Sequence, residues 1–281
     1  MTPRNLSTRL TPFLMIFWVL FVLVVQGCFH SSSGGGSSVV PDADPAGYYI
    51  NTGTASVDDG MSGTIDINDL QAMVNGDRII MMSVANKLLY DGNITNIDGN
   101  SFTADFIVYT DGANPMATTA SGTITTGSSI TGTLTGSGVG SGSFTLSYAS
   151  TNHNDTAADI ARIENEAGVN TTWGAKVGNS VFEQEIIIDS SGAITSETPP
   201  LGGVFTSCDM NGTLSPISGS SLYSVSVTLA GCGGAGGIRN GDYTGLATSR
   251  TDLETDDTLV FAVTKDTTVA NERFSLNAEF K

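Results

Sequence analysis

The chain has 281 residues and a formal net charge of −17, with 28 acidic residues against 11 basic ones. A chain this acidic is repelled by nucleic-acid phosphates and by bare anionic lipid, which excludes nucleic acid as a partner. Only 14% of residues are charged while glycine alone contributes 34, a mixture that suits strands and tight turns better than helices.

Residues 1–27 read as an export signal. Arg4 and Arg9 give a basic start, and Phe13 to Val25 form an unbroken apolar run. A bilayer span needs about 20 apolar residues, so this run is too short to cross and fits a secretory signal core. It stops at Val25-Gln26-Gly27-Cys28, where a small residue precedes a thiol. The arrangement resembles the signal peptide and lipobox of bacterial lipoproteins. That resemblance implies cleavage before Cys28 and lipidation of Cys28. An ordinary signal peptide with an incidental cysteine explains the apolar run alone, but not flanks, length and cysteine together. Each buried lipid methylene contributes about 0.8 kcal/mol, so several acyl chains make release from a membrane very slow. In lipoproteins an aspartate after the cysteine favours inner-membrane retention. Phe29 stands there in this chain, and the resemblance therefore implies the outer membrane, with the bilayer as the first partner.

Residues 28–45 read as the lipidated cysteine and a tether. Ser31 to Ser38 contains only serine and glycine, which bury no apolar surface and behave as a flexible coil. Pro41-Asp42-Ala43-Asp44-Pro45 ends it, and the folded part is expected near Gly47.

Residues 46–150 read as a first β-domain. Asn75-Gly76, Asp91-Gly92, Asp98-Gly99 and Asp111-Gly112 are pairs that accept positive φ and favour two-residue hairpin turns. Apolar residues flank them, as in Ile79-Ile80-Met81-Met82. Phe102, Ala104, Phe106 and Val108 fall on one strand face. Thr103, Asp105, Ile107 and Tyr109 fall on the other, which points to cover over Ile107 and Tyr109 as well. From Ala117 to Tyr148, threonines interleave with Ile124, Ile130 and Leu134, as in short strands with glycine turns, and Gly136 to Gly142 reads as a flexible hairpin tip.

Residues 151–168 read as a helical connector. Asp155 or Thr156 caps the start, Gly168 ends it, and Ala157, Ile160 and Ile163 to Ala167 supply a narrow apolar stripe. Residues 169–281 read as a second β-domain. Asn211-Gly212 and Asn240-Gly241 repeat the turn signal. Tyr223, Val225, Val227 and Leu229 alternate, as do Phe274, Leu276, Ala278 and Phe280. A local echo links the halves: Gly122-Thr123-Ile124 before Gly127-Ser128-Ser129-Ile130, and Gly212-Thr213-Leu214 before Gly219-Ser220-Ser221-Leu222.

The expected fold is all-β: two antiparallel barrel or sandwich domains joined by a short helix. Closure of each sheet would remove edges that invite aggregation. This plan of anchor, Gly-Ser leader and two β-rich halves is similar to that of surface lipoproteins with tandem barrels, matched residue by residue only at Cys28 and the leader. The chain also looks like Gram-negative lipoproteins that pair an Asn-Gly hairpin half with a two-cysteine half. Leu88-Leu89-Tyr90-Asp91-Gly92 and Gly241-Asp242-Tyr243-Thr244-Gly245-Leu246-Ala247 carry that likeness, which implies no activity.

With Cys28 lipidated, Cys208 and Cys232 remain, and an even pair in an exported domain reads as a disulfide. It would close a loop of about 25 residues and contribute roughly 3 kcal/mol by loop entropy. No Cys-x-x-Cys spacing supports redox chemistry, and two cysteines without nearby histidines do not make a zinc site. The histidines, His30 in the tether and His153 in the connector, stand where no rigid scaffold aims them, and no Gly-x-Ser-x-Gly elbow accompanies them. Gly231 to Gly236 fits Gly-x-Gly-x-x-Gly, but a turn and strand follow instead of a helix. Asp252 to Asp257 and Asp42 with Asp44 lack the twelve-residue calcium loop and read as solvated turns. Trp173 stands too far from Gly168 for the lipocalin motif and reads as a core aromatic.

No catalytic residue, cofactor or metal is expected. The leading function is a binding or interaction module held on the outer membrane, its ligand a protein, glycan or small apolar molecule. A structural envelope protein is the alternative, and an envelope hydrolase a distant third.

Overall fold

In the computed structural model, described residues are 41–53, 55–110, 114–150, 158–160, 163, 172–176, 183–196, 209–232, 239–251, 257–265, 267 and 274–280. All paired strands are antiparallel, and they form two sheets. The first holds β1 (Gly47–Asn51), β2 (Ser56–Asp58), β3 (Thr64–Asp66), β4 (Gln71–Asn75) and β5 (Arg78–Ser83), then β6 (Leu88–Asp98), β7 (Ser101–Thr110), β8 (Met116–Thr125), β9 (Ser129–Thr135) and β10 (Gly142–Tyr148). The second holds β11 (Thr172–Lys176), β12 (Glu183–Ile188), β13 (Ala193–Ser196) and β14 (Asp209–Pro216), then β15 (Leu222–Ala230), β16 (Gly241–Thr251), β17 (Asp257–Lys265) and β18 (Phe274–Phe280).

The second sheet is a closed eight-stranded barrel in chain order, sealed by β11 against β18. The first runs β1-β4-β5-β6-β7-β8-β9-β10 and curls until β10 meets β1 as well, with Tyr49 opposite Tyr148. β2 and β3 form a hairpin annex on the starting end of β10, where Gly142 pairs with Val57. The all-β expectation and the barrel hold. A joining helix does not span the described residues. Ile160 and Ile163 have helical backbone and Ile163 N–H reaches Asp159 O at 3.3 Å, but most of 151–168 lies outside the described residues.

Alternation builds each interior. Phe102, Ala104, Phe106 and Val108 point inward with Ile124, Ile130, Leu134, Phe144 and Leu146 to make the first core. Tyr223, Val225, Val227 and Leu229 join Phe261, Val263, Leu276 and Ala278 in the second. The opposite strand faces carry Thr119, Ser121, Thr131, Thr133, Ser224 and Ser226, all exposed. Hydroxyls bond water on that face, and their β-branched or short side chains suit the pleat.

The Asn-Gly and Asp-Gly signal divides by position. Asn75-Gly76 and Asp98-Gly99 sit at the β4–β5 and β6–β7 hairpin turns, with Gly76 at φ 58 and Gly99 at φ 57. Asp91-Gly92 and Asn211-Gly212 instead lie inside β6 and β14. There the glycine serves close packing: a Cβ on Gly92 would come within 2.1 Å of Asp105 O, and one on Gly212 within 2.1 Å of Ser226 O. Asp111-Gly112 lies outside the described residues.

Packing also begins ahead of Gly47. Ala43 is buried in the first core, and its N–H donates to Gly99 O at 2.7 Å. Gly99 N–H donates to Asp42 Oδ1 at 2.9 Å, and Asp44 N–H donates to Thr126 Oγ1 at 2.9 Å. Pro41 to Ala46 is thus a strap across the end of the first sheet that carries the β6–β7 and β8–β9 turns. A short segment with two prolines reads as tether because the turns that accept its bonds are far away in sequence.

Candidate functional site

Two features stand out beyond the two cores: a seam between the sheets, and the β2–β3 annex. The seam is a third apolar cluster. Tyr48, Met73, Ile80, Met82, Leu89 and Tyr109 from the outer face of the first sheet pack against Leu222, Leu246, Val260 and Ala262 from the outside of the barrel. The strands that contribute are therefore buried on both faces. Ile79-Ile80-Met81-Met82 alternates between first core and seam, and Phe261 and Val263 face the barrel core while Val260 and Ala262 face the seam.

Polar groups clasp the seam. Arg78 Nη2 meets Asp91 Oδ2 at 2.8 Å, in a pair whose side chains are 29% and 16% exposed. The same nitrogen donates to Thr244 O at 3.1 Å across the seam, and Thr264 Oγ1 donates to Asp91 Oδ2 from the barrel side. Elsewhere Tyr48 Oη donates to Gln71 Oε1, and Gln71 Nε2 donates to Glu279 Oε1 at 2.7 Å. Asn277 Nδ2 reaches Ser83 O and Leu88 O at 3.2 and 3.3 Å. On β18, Leu276 and Ala278 face the barrel core while Asn277 and Glu279 reach the first sheet. Buried side-chain amides need such partners; Gln71 finds one in its own sheet and one in the barrel, and Asn277 finds both in the first sheet.

The annex presents different chemistry. Met61 at its tip is 85% exposed, the large apolar side chain most open to solvent among the described residues. Asp59 Oδ1 accepts N–H groups from Met61 and Gly63 at 2.6 and 2.8 Å, and Asp58 Oδ1 accepts the Gly60 N–H at 2.7 Å. The Gly63 and Met61 bonds hold the Asp59 carboxyl below the ordinary aspartate range. Burial raises the phenols of Tyr49, Tyr90 and Tyr243, which bond Pro45 O, Val139 O and Arg239 O.

The residues singled out by sequence are scattered. Cys28, Cys208, His30 and His153 lie outside the described residues. Cys232 follows β15, is 6% exposed, packs in the barrel core, and donates its N–H to Asn240 Oδ1 at 3.0 Å. Gly231 sits at φ 68, in the left-handed region, beside a strand end rather than a helix start. Asp42 and Asp44 accept strap hydrogen bonds, from Gly99 and Ala46. Trp173 lies on β11, and residues 252–256 lie outside the described ones. Among the described residues no group of three or more His, Cys, Asp or Glu is placed to hold a metal ion, and no helix is long and apolar enough to cross a membrane.

Sequence reasoning pointed to cover over Ile107 and Tyr109 but not to what supplies it, and it missed the annex. The seam had a signal: unbroken runs such as Leu259-Val260-Phe261-Ala262-Val263 exceed what one buried face needs. The annex had none, because Ser56 to Asp66 is short and polar. No protein-family model, curated protein or solved structure matches the chain.

Proposed function

We propose that the chain is an outer-membrane lipoprotein, lipidated on Cys28, whose β-body is a binding or interaction module for a protein partner. The order of Arg4, Arg9, the Phe13–Val25 run, Gly27-Cys28 and the Ser-Gly leader carries the anchor half of this reading. The seam supports the other half. It joins two sheets through an apolar cluster and cross-sheet hydrogen bonds, which makes a firm platform for surface loops. The curled first sheet and the closed eight-stranded barrel both hold packed side chains inside, which favours the outer surface as the contact region over an internal ligand. The same platform suits a structural envelope role without a ligand, the second reading. Metabolic labelling with palmitate tests the anchor. The wild type takes up label and a Cys28→Ala variant does not; label retained by that variant rejects the assignment.

A Cys208–Cys232 disulfide belongs to this reading of an exported protein. Asp209, next to Cys208 in sequence, pairs with Ala230, two residues before Cys232, and this register supports the pairing. Peptide mapping without reductant is expected to recover the two cysteines in one linked peptide, and two alkylated thiols would end the pairing.

A further inference from the structure

Every described strand has a neighbour on both sides except β3. β3 pairs with β2 through Ser56–Asp66, Val57–Ile65 and Asp58–Thr64, and no described strand lies on its other side. An open edge is a template for strand addition, and proteins blunt such edges with short length and charge. β3 is three residues long and ends in Asp66, and Asp58 on β2 lies opposite its first residue, Thr64. Those carboxylates disfavour an acidic strand, including another copy of this acidic chain, and favour a cationic segment as the matching partner. Exposed Met61 at the hairpin tip adds an apolar contact beside the edge. Asp59 fixes the tip by accepting two backbone N–H groups, so the contact is presented in one shape. The annex meets the start of β10, while the strap meets the other end of the sheet near Thr126. The two lie a strand length apart, roughly 20 Å. The chain toward Cys28 joins at the strap.

We propose that the β3 edge and Met61 form a docking site for an extended cationic segment of a partner protein, added as a further strand with an apolar group over Met61. This deepens the reading of the body as a binding module and rests on it. The test uses the full chain in intact cells, with a photo-crosslinking residue at Met61, Thr123 or Asn100. Thr123 lies on the hydroxyl face and Asn100 at the strap end, and both are exposed. The expected result is one protein adduct from position 61, reduced at least tenfold by the Asp58→Lys, Asp66→Lys pair, and none from the other positions. Asp66→Asn replaces that pair if circular dichroism finds it unfolded. An adduct insensitive to the charge change overturns the cationic edge. Adducts from Thr123 or Asn100 alone reject the site but keep the binding module. Absence of adducts at all positions rejects both.

Discussion

Three phenylalanines of the first sheet lie across the ladder from glycines. Gly92 pairs with Phe106, Gly122 with Phe102 and Gly132 with Phe144. A Cβ on these glycines would stand 2.5 Å from Phe106 Cδ1, 2.9 Å from Phe102 Cε1 and 2.6 Å from Phe144 Cζ. Each ring therefore covers its glycine, and the missing side chain lets the sheet curl tightly at that point. Gly122 is the sharpest case, because its Cβ would also meet Thr131 O at 2.0 Å. Gly122→Ala is expected to cost about 1–3 kcal/mol, since backbone must move to admit the methyl group. Gly76 has open space around it and φ 58, so Gly76→Ala costs about 1 kcal/mol from the left-handed backbone alone. Urea unfolding midpoints compare the two. A Gly122→Ala protein as stable as wild type would show that the close approach is not what this glycine serves. The turn signal fails here for the same reason. Asp91-Gly92 and Asn211-Gly212 look locally like Asn75-Gly76, and only partners distant in sequence separate a turn glycine from a strand glycine.

Alternating strands were legible because the inward set is apolar and the outward set is hydroxylic, as on β9, β10 and β15. The cover expected over Ile107 and Tyr109 is present: Tyr109 is buried in the seam and Ile107 packs at its margin. What covers them was not legible, since periodicity reports that a face is buried and not which strand buries it. The seam also bears a direct test. Val260 is fully buried there, and Ser226 is exposed on the same barrel. Val260→Asp places a carboxylate without a partner between the sheets and is expected to cost about 3–5 kcal/mol. Ser226→Asp is expected to stay within about 0.5 kcal/mol of wild type. Equal stability of the two variants would mean that the seam does not hold the sheets together. The clasp of Arg78, Asp91, Thr244 and Thr264 adds orientation more than energy, because a partly exposed pair contributes about 0–1 kcal/mol.

At the scale of the whole molecule, the proposed leader rests on local chemistry and the body on distant contacts. An apolar run, a small residue and a cysteine can be recognised in sequence because they act within one short segment. The seam, strap and annex depend on residues brought together from far apart, such as Gln71 with Glu279 and Asp44 with Thr126. A chain at −17 resists self-association and approaches cationic partners more readily than anionic ones. Intact-protein mass spectrometry of material extracted from the membranes of the native cell tests the anchored body most directly. The predicted result is a chain that starts at Cys28, heavier than its residues by the attached acyl groups. A water-soluble chain with a bare thiol at Cys28, or one that still carries Arg4 and Arg9, contradicts it.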